Sequence, residues 1–129
     1  MITVFKGNTV VSMRPYKPED VERVRDITRP YLETHGEPIA WVRHPTLQLK
    51  CQLMRQGAEA ATQLGITDIN NPEFGDAPLI REGEVPVFWG CGVTPQLVVM
   101  SSPECEGISI GHAPGKMVCL DLSIKGIMS

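Results

Sequence analysis

The sequence predicts an α/β fold, with a mixed sheet and flanking helices in a single domain. Three observations support this prediction: strand patterns alternate with helical patterns, the chain has 129 residues, and 42% of them are hydrophobic. Alternating strands and helices are typical of α/β proteins, and most domains have about 100–150 residues. Aromatic residues make up only 5% of the chain, so we expect an aliphatic core.

The first third of the chain predicts one strand followed by one helix. Residues 9–13 are mostly β-branched and precede Pro15, which is typical of a strand. Pro18 suits the first position of a helix, and the two acidic residues after it favour the positive end of the helix dipole. Pro30 should end or kink this helix. Its predicted apolar face consists of Val21, Val24, Ile27 and Tyr31.

The middle of the chain predicts a short strand and a second helix. Residues 39–42 are the strand candidate, and residues 47–64 have an apolar face at helical spacing with Gly65 as the cap. Turn-forming residues then predict a loop over 70–76.

The last third predicts three strands and one helix. Residues 85–89 are an apolar strand, and a helix follows with Thr94 as its N-cap and Pro95 at its first position. Residues 107–110 and 117–122 are strand candidates, and the turn at residues 112–115 joins them.

Charge and composition argue against several classes of function. The formal net charge is −3 and the basic residues are scattered, which disfavours nucleic-acid binding. No apolar run approaches the ~20 residues of a membrane span, and the N-terminus does not have the pattern of a signal peptide, so we expect no membrane insertion and no secretion. The four cysteines form no pairwise motif, which favours a reducing compartment.

The first candidate for chemistry is the segment 88–96, in which an apolar strand enters a turn with glycines on both sides of Cys91. Glycines allow a ligand to approach the backbone, and the free N–H groups of a helix start bind anions. The segment is therefore a candidate carboxylate site, oxyanion site or activated cysteine. The alternative is a strand–turn–helix with a small buried thiol, since cysteine is among the most buried residue types.

The second candidate is His112, in the turn between the last two predicted strands. Histidine titrates near neutral pH and acts as a general acid or base in many enzymes. The alternative is a turn histidine bonded to the backbone.

Three further residues are weaker candidates. Asp76 is a catalytic carboxylate or a turn residue, Arg14 a carboxylate clamp or a surface residue, and Asp121 an inward carboxylate or a polar strand end. Cysteines and histidines lack zinc spacing and no glycine-rich dinucleotide loop is present, so we expect neither a metal nor a cofactor.

Five blocks of the sequence, residues 10–15, 74–76, 83–96, 112–117 and 121–122, resemble the hydro-lyase family that also supplies the N-terminal domain of mitochondrial D-glutamate cyclase. The block that ends in Cys-Gly-Val-Thr-Pro-Gln is the most specific. The five blocks occur in the same order as in the C-terminal half of the family pattern. The chain is therefore expected to be one hydro-lyase-like domain over residues 1–129, or the C-terminal part of a larger α/β domain.

The resemblance implies a carbon–oxygen lyase that acts on a small carboxylic or amino acid. In the cyclase relatives, the reaction converts D-glutamate to 5-oxo-D-proline and water. The resemblance also leaves the mitochondrial matrix and the cytoplasm as alternative compartments. Three departures stand out. Family members are about twice as long, they have Thr and His in place of Gly111 and Lys116, and they lack a counterpart of the helical segment 42–63.

From these patterns we assign provisional roles. Arg14 and the backbone near Thr94 would hold a substrate carboxylate, His112 would donate a proton, and Asp76 or Asp121 would orient it. Cys91 would line the pocket. The full set of expected binding residues is Arg14, Trp89, Gly90, Cys91, Gly92, Thr94, Gln96 and Gly115. The alternatives are a catalytically silent ligand-binding or regulatory domain, and an incomplete fragment that forms a homo-oligomer or needs a complementing N-terminal half.

Overall fold

The computed structural model describes residues 8–41, 61 and 64–116. The strands are β1 (Val11–Tyr16), β2 (Ala40–Trp41) and β3 (Val85–Gly90). The helices are a 3-10 turn (Pro18–Asp20), α1 (Val21–Thr28) and α2 (Val93–Met100). A small sheet with flanking helices is present, which confirms the predicted α/β class. No helix in this part of the chain is long and apolar enough to cross a membrane.

The described strands form an antiparallel sheet in the order β1-β3-β2. The pairing of β1 with β3 runs from Val11 opposite Gly90 to Tyr16 opposite Val85. Strand β1 therefore continues past Pro15, although the sequence suggested that this proline would end it. Pro15 lies opposite Pro86, so the two residues without an N–H donor face each other across the strands.

The sheet buries both of its faces. On one face, Val85, Val87 and Trp89 pack with Val21 of α1, and the Tyr16 ring meets the Trp89 ring edge-on at 6.0 Å. On the other face, Phe88 packs with Ala61. Alternate residues of a strand point to opposite faces, so one apolar strand supplies both cores.

Helix α1 covers the first face and ends at Thr28, shortly before Pro30. Val21 is 1% exposed, whereas Ile27, predicted to share its buried face, is 56% exposed. The Arg25 guanidinium instead lies over the Trp41 ring at 4.0 Å. Arg25 also pairs with Glu22 and with Glu37, so a charged stack forms part of this helix–sheet contact.

Gly65 ends a helical turn, as its position after the second helical pattern predicts. The N–H of Ile66 donates to the Ala61 carbonyl at 2.9 Å, and Gly65 has φ +76°. This is the geometry of a helix that terminates with a left-handed glycine. Apart from Ala61 and Leu64, the predicted helix over 47–64 lies outside the described residues. Most of the atypical segment 42–63 lies outside them as well.

The strand predicted over residues 107–110 is not observed. Ile108 and Ile110 are 94% and 93% exposed, and no strand within the described residues pairs with them. The alternating apolar pattern predicted a strand here, but a strand also needs a hydrogen-bonded neighbour. Its predicted partner, residues 117–122, lies outside the described residues.

Candidate active site

The turn from β3 into α2 begins at Gly90 and brings the backbone of Cys91 beside β1. The Cys91 N–H donates to the Val10 carbonyl at 3.1 Å, and the Thr94 N–H donates to the Cys91 carbonyl at 3.0 Å. The N–H groups of Gly92 and Val93 have no such acceptor in the described part of the chain. They are therefore available to an anionic ligand at the helix start.

Thr94 is not the N-cap of this helix, contrary to the sequence prediction, because the helix begins two residues earlier than predicted, at Val93, with Gly92 at the cap. The Thr94 hydroxyl instead accepts a hydrogen bond from the Val10 N–H at 2.9 Å and donates to the Val10 carbonyl at 3.1 Å. One side chain therefore satisfies both backbone groups of Val10 and joins the start of β1 to the start of α2.

Replacing Thr94 with valine should destabilise the domain by about 1–3 kcal/mol, because the Val10 N–H would lose its acceptor and the Val10 carbonyl would keep only the Cys91 N–H, while the side chain kept its size. The matched control is Thr28→Val, since the Thr28 hydroxyl donates only to carbonyls within its own helix. We expect that control to change stability by at most about 0.5 kcal/mol. Urea unfolding of both variants measures the difference, and equal midpoints would contradict the bridging role.

His35 contributes to the same turn, although no pattern in the sequence pointed to it. Its Nδ1 donates to the Gly90 carbonyl at 2.7 Å from a loop that lies 55 residues earlier in the chain. The Ile39 N–H donates to the neighbouring Phe88 carbonyl at 2.8 Å. The loop after α1 therefore fixes the end of β3. No sequence motif signals a contact between positions so far apart.

His112 lies against this helix start. Its Nδ1 is 3.0 Å from the Ala113 carbonyl, and since a carbonyl oxygen only accepts, Nδ1 carries the hydrogen. Nε2 is then the ring nitrogen left for a ligand. A Cβ placed on Gly92 would lie 3.9 Å from this Nε2, so the imidazole stands beside the glycine turn. The side chain is half-buried.

Gly75 and Gly115 bring a third loop to the site. A Cβ on Gly115 would lie 2.9 Å from the Gly75 Cα, so the two backbones are in direct contact. Both glycines have positive φ, at +82° and +77°. This contact holds Asp76, the residue after Gly75, beside the turn that carries His112.

A cleft of about 840 Å³ opens where these segments meet. Its lining includes Cys91 and Val93 from the helix start, together with Asp76 and Gly115. The cleft is lined by three carboxylates, those of Asp68, Glu73 and Asp76, and by no Lys or Arg side chain among the described residues. The cleft is therefore an acidic recess beside the free amides of a helix start.

Most of the predicted site residues lie at the cleft or at the helix start beside it. Cys91, Asp76 and Gly115 line the cleft, and Gly90, Gly92, Thr94, Gln96 and His112 surround the helix start beside it.

Two predicted site residues, Arg14 and Trp89, lie away from the cleft. Trp89 is 6% exposed and buried with Val87 under α1. Arg14 pairs with Val87 and so points to that same face, where it is exposed. Neither residue is positioned to bind a ligand in the cleft. Asp121 lies outside the described residues.

Metal ligands are not gathered here. Within residues 8–41, 61 and 64–116, no three His, Cys, Asp or Glu side chains come close enough to hold a metal ion. The described cysteines, Cys91 and Cys105, are free thiols.

The fold and the cleft define the class of this protein. It is a small α/β domain in which a histidine lies beside a helix start that follows a glycine-flanked turn. The chain belongs to the D-glutamate cyclase family, which it matches over residues 1–121.

Three similar proteins share the name "Putative hydro-lyase". The relative from Schizosaccharomyces pombe is 45% identical over 93% of this chain and 35% of its own length. The relative from Pseudomonas syringae pv. syringae is 45% identical over 92% of this chain and 38% of its own length. The relative from Corynebacterium glutamicum is 44% identical over 91% of this chain and 37% of its own length. The chain thus spans little more than a third of these relatives, which are longer than the twofold length that the resemblance implied.

Proposed function

We propose that this chain carries the reaction centre of a hydro-lyase acting on a small amino acid, with the cyclisation of D-glutamate to 5-oxo-D-proline as the first candidate reaction. The observation that carries the proposal is the free Nε2 of His112 beside Gly92 at the start of α2. A histidine nitrogen on one turn and two free amides on the turn beside it are the groups that carbonyl chemistry needs.

The charge of the cleft favours an amino acid over a hydroxy acid. Asp68, Glu73 and Asp76 line it without a Lys or Arg side chain among the described residues, so a positively charged group is attracted. An amino acid brings an ammonium group for these carboxylates. Its side-chain carboxylate can then meet the N–H groups of Gly92 and Val93, which take over the holding role first considered for Arg14 and lie where the tetrahedral oxyanion forms.

Cyclisation requires two proton transfers, both from the amine nitrogen to the departing oxygen. The amine nitrogen attacks the side-chain carboxyl carbon, so a C–N bond forms and a C–O bond breaks. Two protons leave the nitrogen, and both reach the departing oxygen, which leaves as water. In this proposal His112 accepts each proton at Nε2 and passes it to the oxygen, while the free amides stabilise the tetrahedral oxyanion. Asp76 holds the ammonium, and Cys91 lines the pocket.

Proton NMR of the purified chain with D-glutamate, and separately with 5-oxo-D-proline, tests the proposal directly. We expect the two compounds to interconvert in the presence of the protein and to remain unchanged with heat-denatured protein. If neither compound changes but both raise the melting temperature, the chain is a ligand-binding domain without catalytic activity. Absence of both turnover and stabilisation would contradict the proposed site altogether.

A further inference from the structure

We propose that Gly111 determines specificity at this site, because the absence of a side chain there places the Gln96 carboxamide beside His112, where it donates to a carboxylate oxygen of the substrate. The inference rests on the proposed function and adds to it the residue that sets the geometry of carboxylate recognition.

The Gln96 carboxamide occupies the space that a side chain at position 111 would need. A Cβ on Gly111 would lie 2.6 Å from Cδ of Gln96, 2.7 Å from Oε1 and 3.0 Å from Nε2. Contacts below 3.0 Å are not tolerated, so any residue larger than glycine must displace the amide. The glycine matters here for the space it leaves and not for its backbone conformation, since Gly111 is not among the glycines with positive φ.

The same contact brings Gln96 to the reacting groups. Gln96 lies in the first turn of α2, three residues after Val93, and Gly111 immediately precedes His112. The Gln96 side chain therefore lies between the free amides of the helix start and the turn that carries the imidazole.

The Gln96 carboxamide is free to bind a ligand. It is half-buried, and its Nε2 and Oε1 make no hydrogen bond with the residues that the structure describes. A carboxamide offers two N–H donors, and a donor held in place by packing loses little freedom when it binds a carboxylate. A substrate-orienting side chain needs a packing contact that holds it in place and a free donor for the substrate. Gln96 has both.

Three variants test the inference: Gly111→Ala, Gln96→Ala and the double variant. The clash in Gly111→Ala falls on the end of a flexible side chain, so the melting temperature should be nearly unchanged. Loss of one hydrogen bond to a charged group should raise the KM for D-glutamate roughly tenfold to hundredfold in each single variant, with a smaller change in kcat. Because both substitutions remove the same contact, the double variant should be no worse than either single variant.

A second readout does not depend on turnover. In protein labelled with ¹⁵N-glutamine, the Gln96 side-chain amide signal is assigned by its loss in Gln96→Ala. It should shift in Gly111→Ala, and 5-oxo-D-proline should perturb it in the wild-type protein but not in Gly111→Ala. An unshifted signal in Gly111→Ala, or additive KM effects in the double variant, would overturn the inference. Failure of the wild-type protein to turn over D-glutamate, with the NMR shifts as expected, would overturn the proposed reaction alone.

Discussion

Replacing His112 with alanine is expected to reduce D-glutamate turnover by about 10²–10⁴-fold, the usual contribution of a general acid–base group. His112 is the described titratable residue whose free nitrogen faces the glycine turn at the start of α2. Without it, the proposed route for protons from the amine nitrogen to the departing oxygen is lost. Proton NMR of substrate and product, at equal protein concentration, measures the loss.

Two further variants separate proton transfer from hydrogen bonding. Glutamine places an amide nitrogen near the position of the imidazole Nε2, and asparagine places one near Nδ1, but neither amide titrates. If His112 transfers protons, His112→Gln and His112→Asn should both be as inactive as His112→Ala. Substantial turnover by His112→Gln would mean that a polar contact is sufficient, and the role of His112 as acid and base would be wrong.

The sequence predicted the elements that form the site better than the side of the sheet on which each residue lies. Residues 85–89 are continuously apolar, so their pattern predicts a buried strand but not which face each residue covers. Trp89 was therefore expected at the site, although it is buried under α1. Arg14 was misplaced for the same reason, because its side chain follows the face of Val87, its partner across the strands.

Contacts between distant segments were beyond the reach of local patterns. The bond from His35 to Gly90 and the contact of Gly75 with Gly115 join residues 55 and 40 positions apart. By contrast, the glycine-flanked turn at Cys91 and the histidine turn were predicted from residue type alone, because each is a local signal. What the structure adds is that these two turns face each other.

The second large effect is expected at Gly115. A left-handed backbone costs a residue with a Cβ about 1–2 kcal/mol, and φ at Gly115 is +77°. In Gly115→Ala the new Cβ would also lie 2.9 Å from the Gly75 Cα, and backbone atoms cannot move aside as a flexible side chain can. Such overpacking typically adds about 1–3 kcal/mol.

Gly83→Ala is the matched control for this variant. Gly83 has φ +85°, close to that of Gly115, but a Cβ there would meet nothing within 4 Å. The control therefore measures the backbone strain alone, and the extra loss of stability in Gly115→Ala measures the contact between the two glycine turns. Urea unfolding should show Gly115→Ala to be less stable than Gly83→Ala by about 1–3 kcal/mol.

Turnover should follow the same contact. Separating Gly115 from Gly75 moves Asp76 away from the turn of His112, so Gly115→Ala should raise the KM for D-glutamate, while Gly83→Ala should leave it unchanged. If Gly115→Ala lost stability but kept the wild-type KM, Asp76 would not hold the substrate ammonium, and the acidic lining of the cleft would have to act through Asp68 or Glu73 instead. Equal stability of the two variants would show that the two loops do not need their contact.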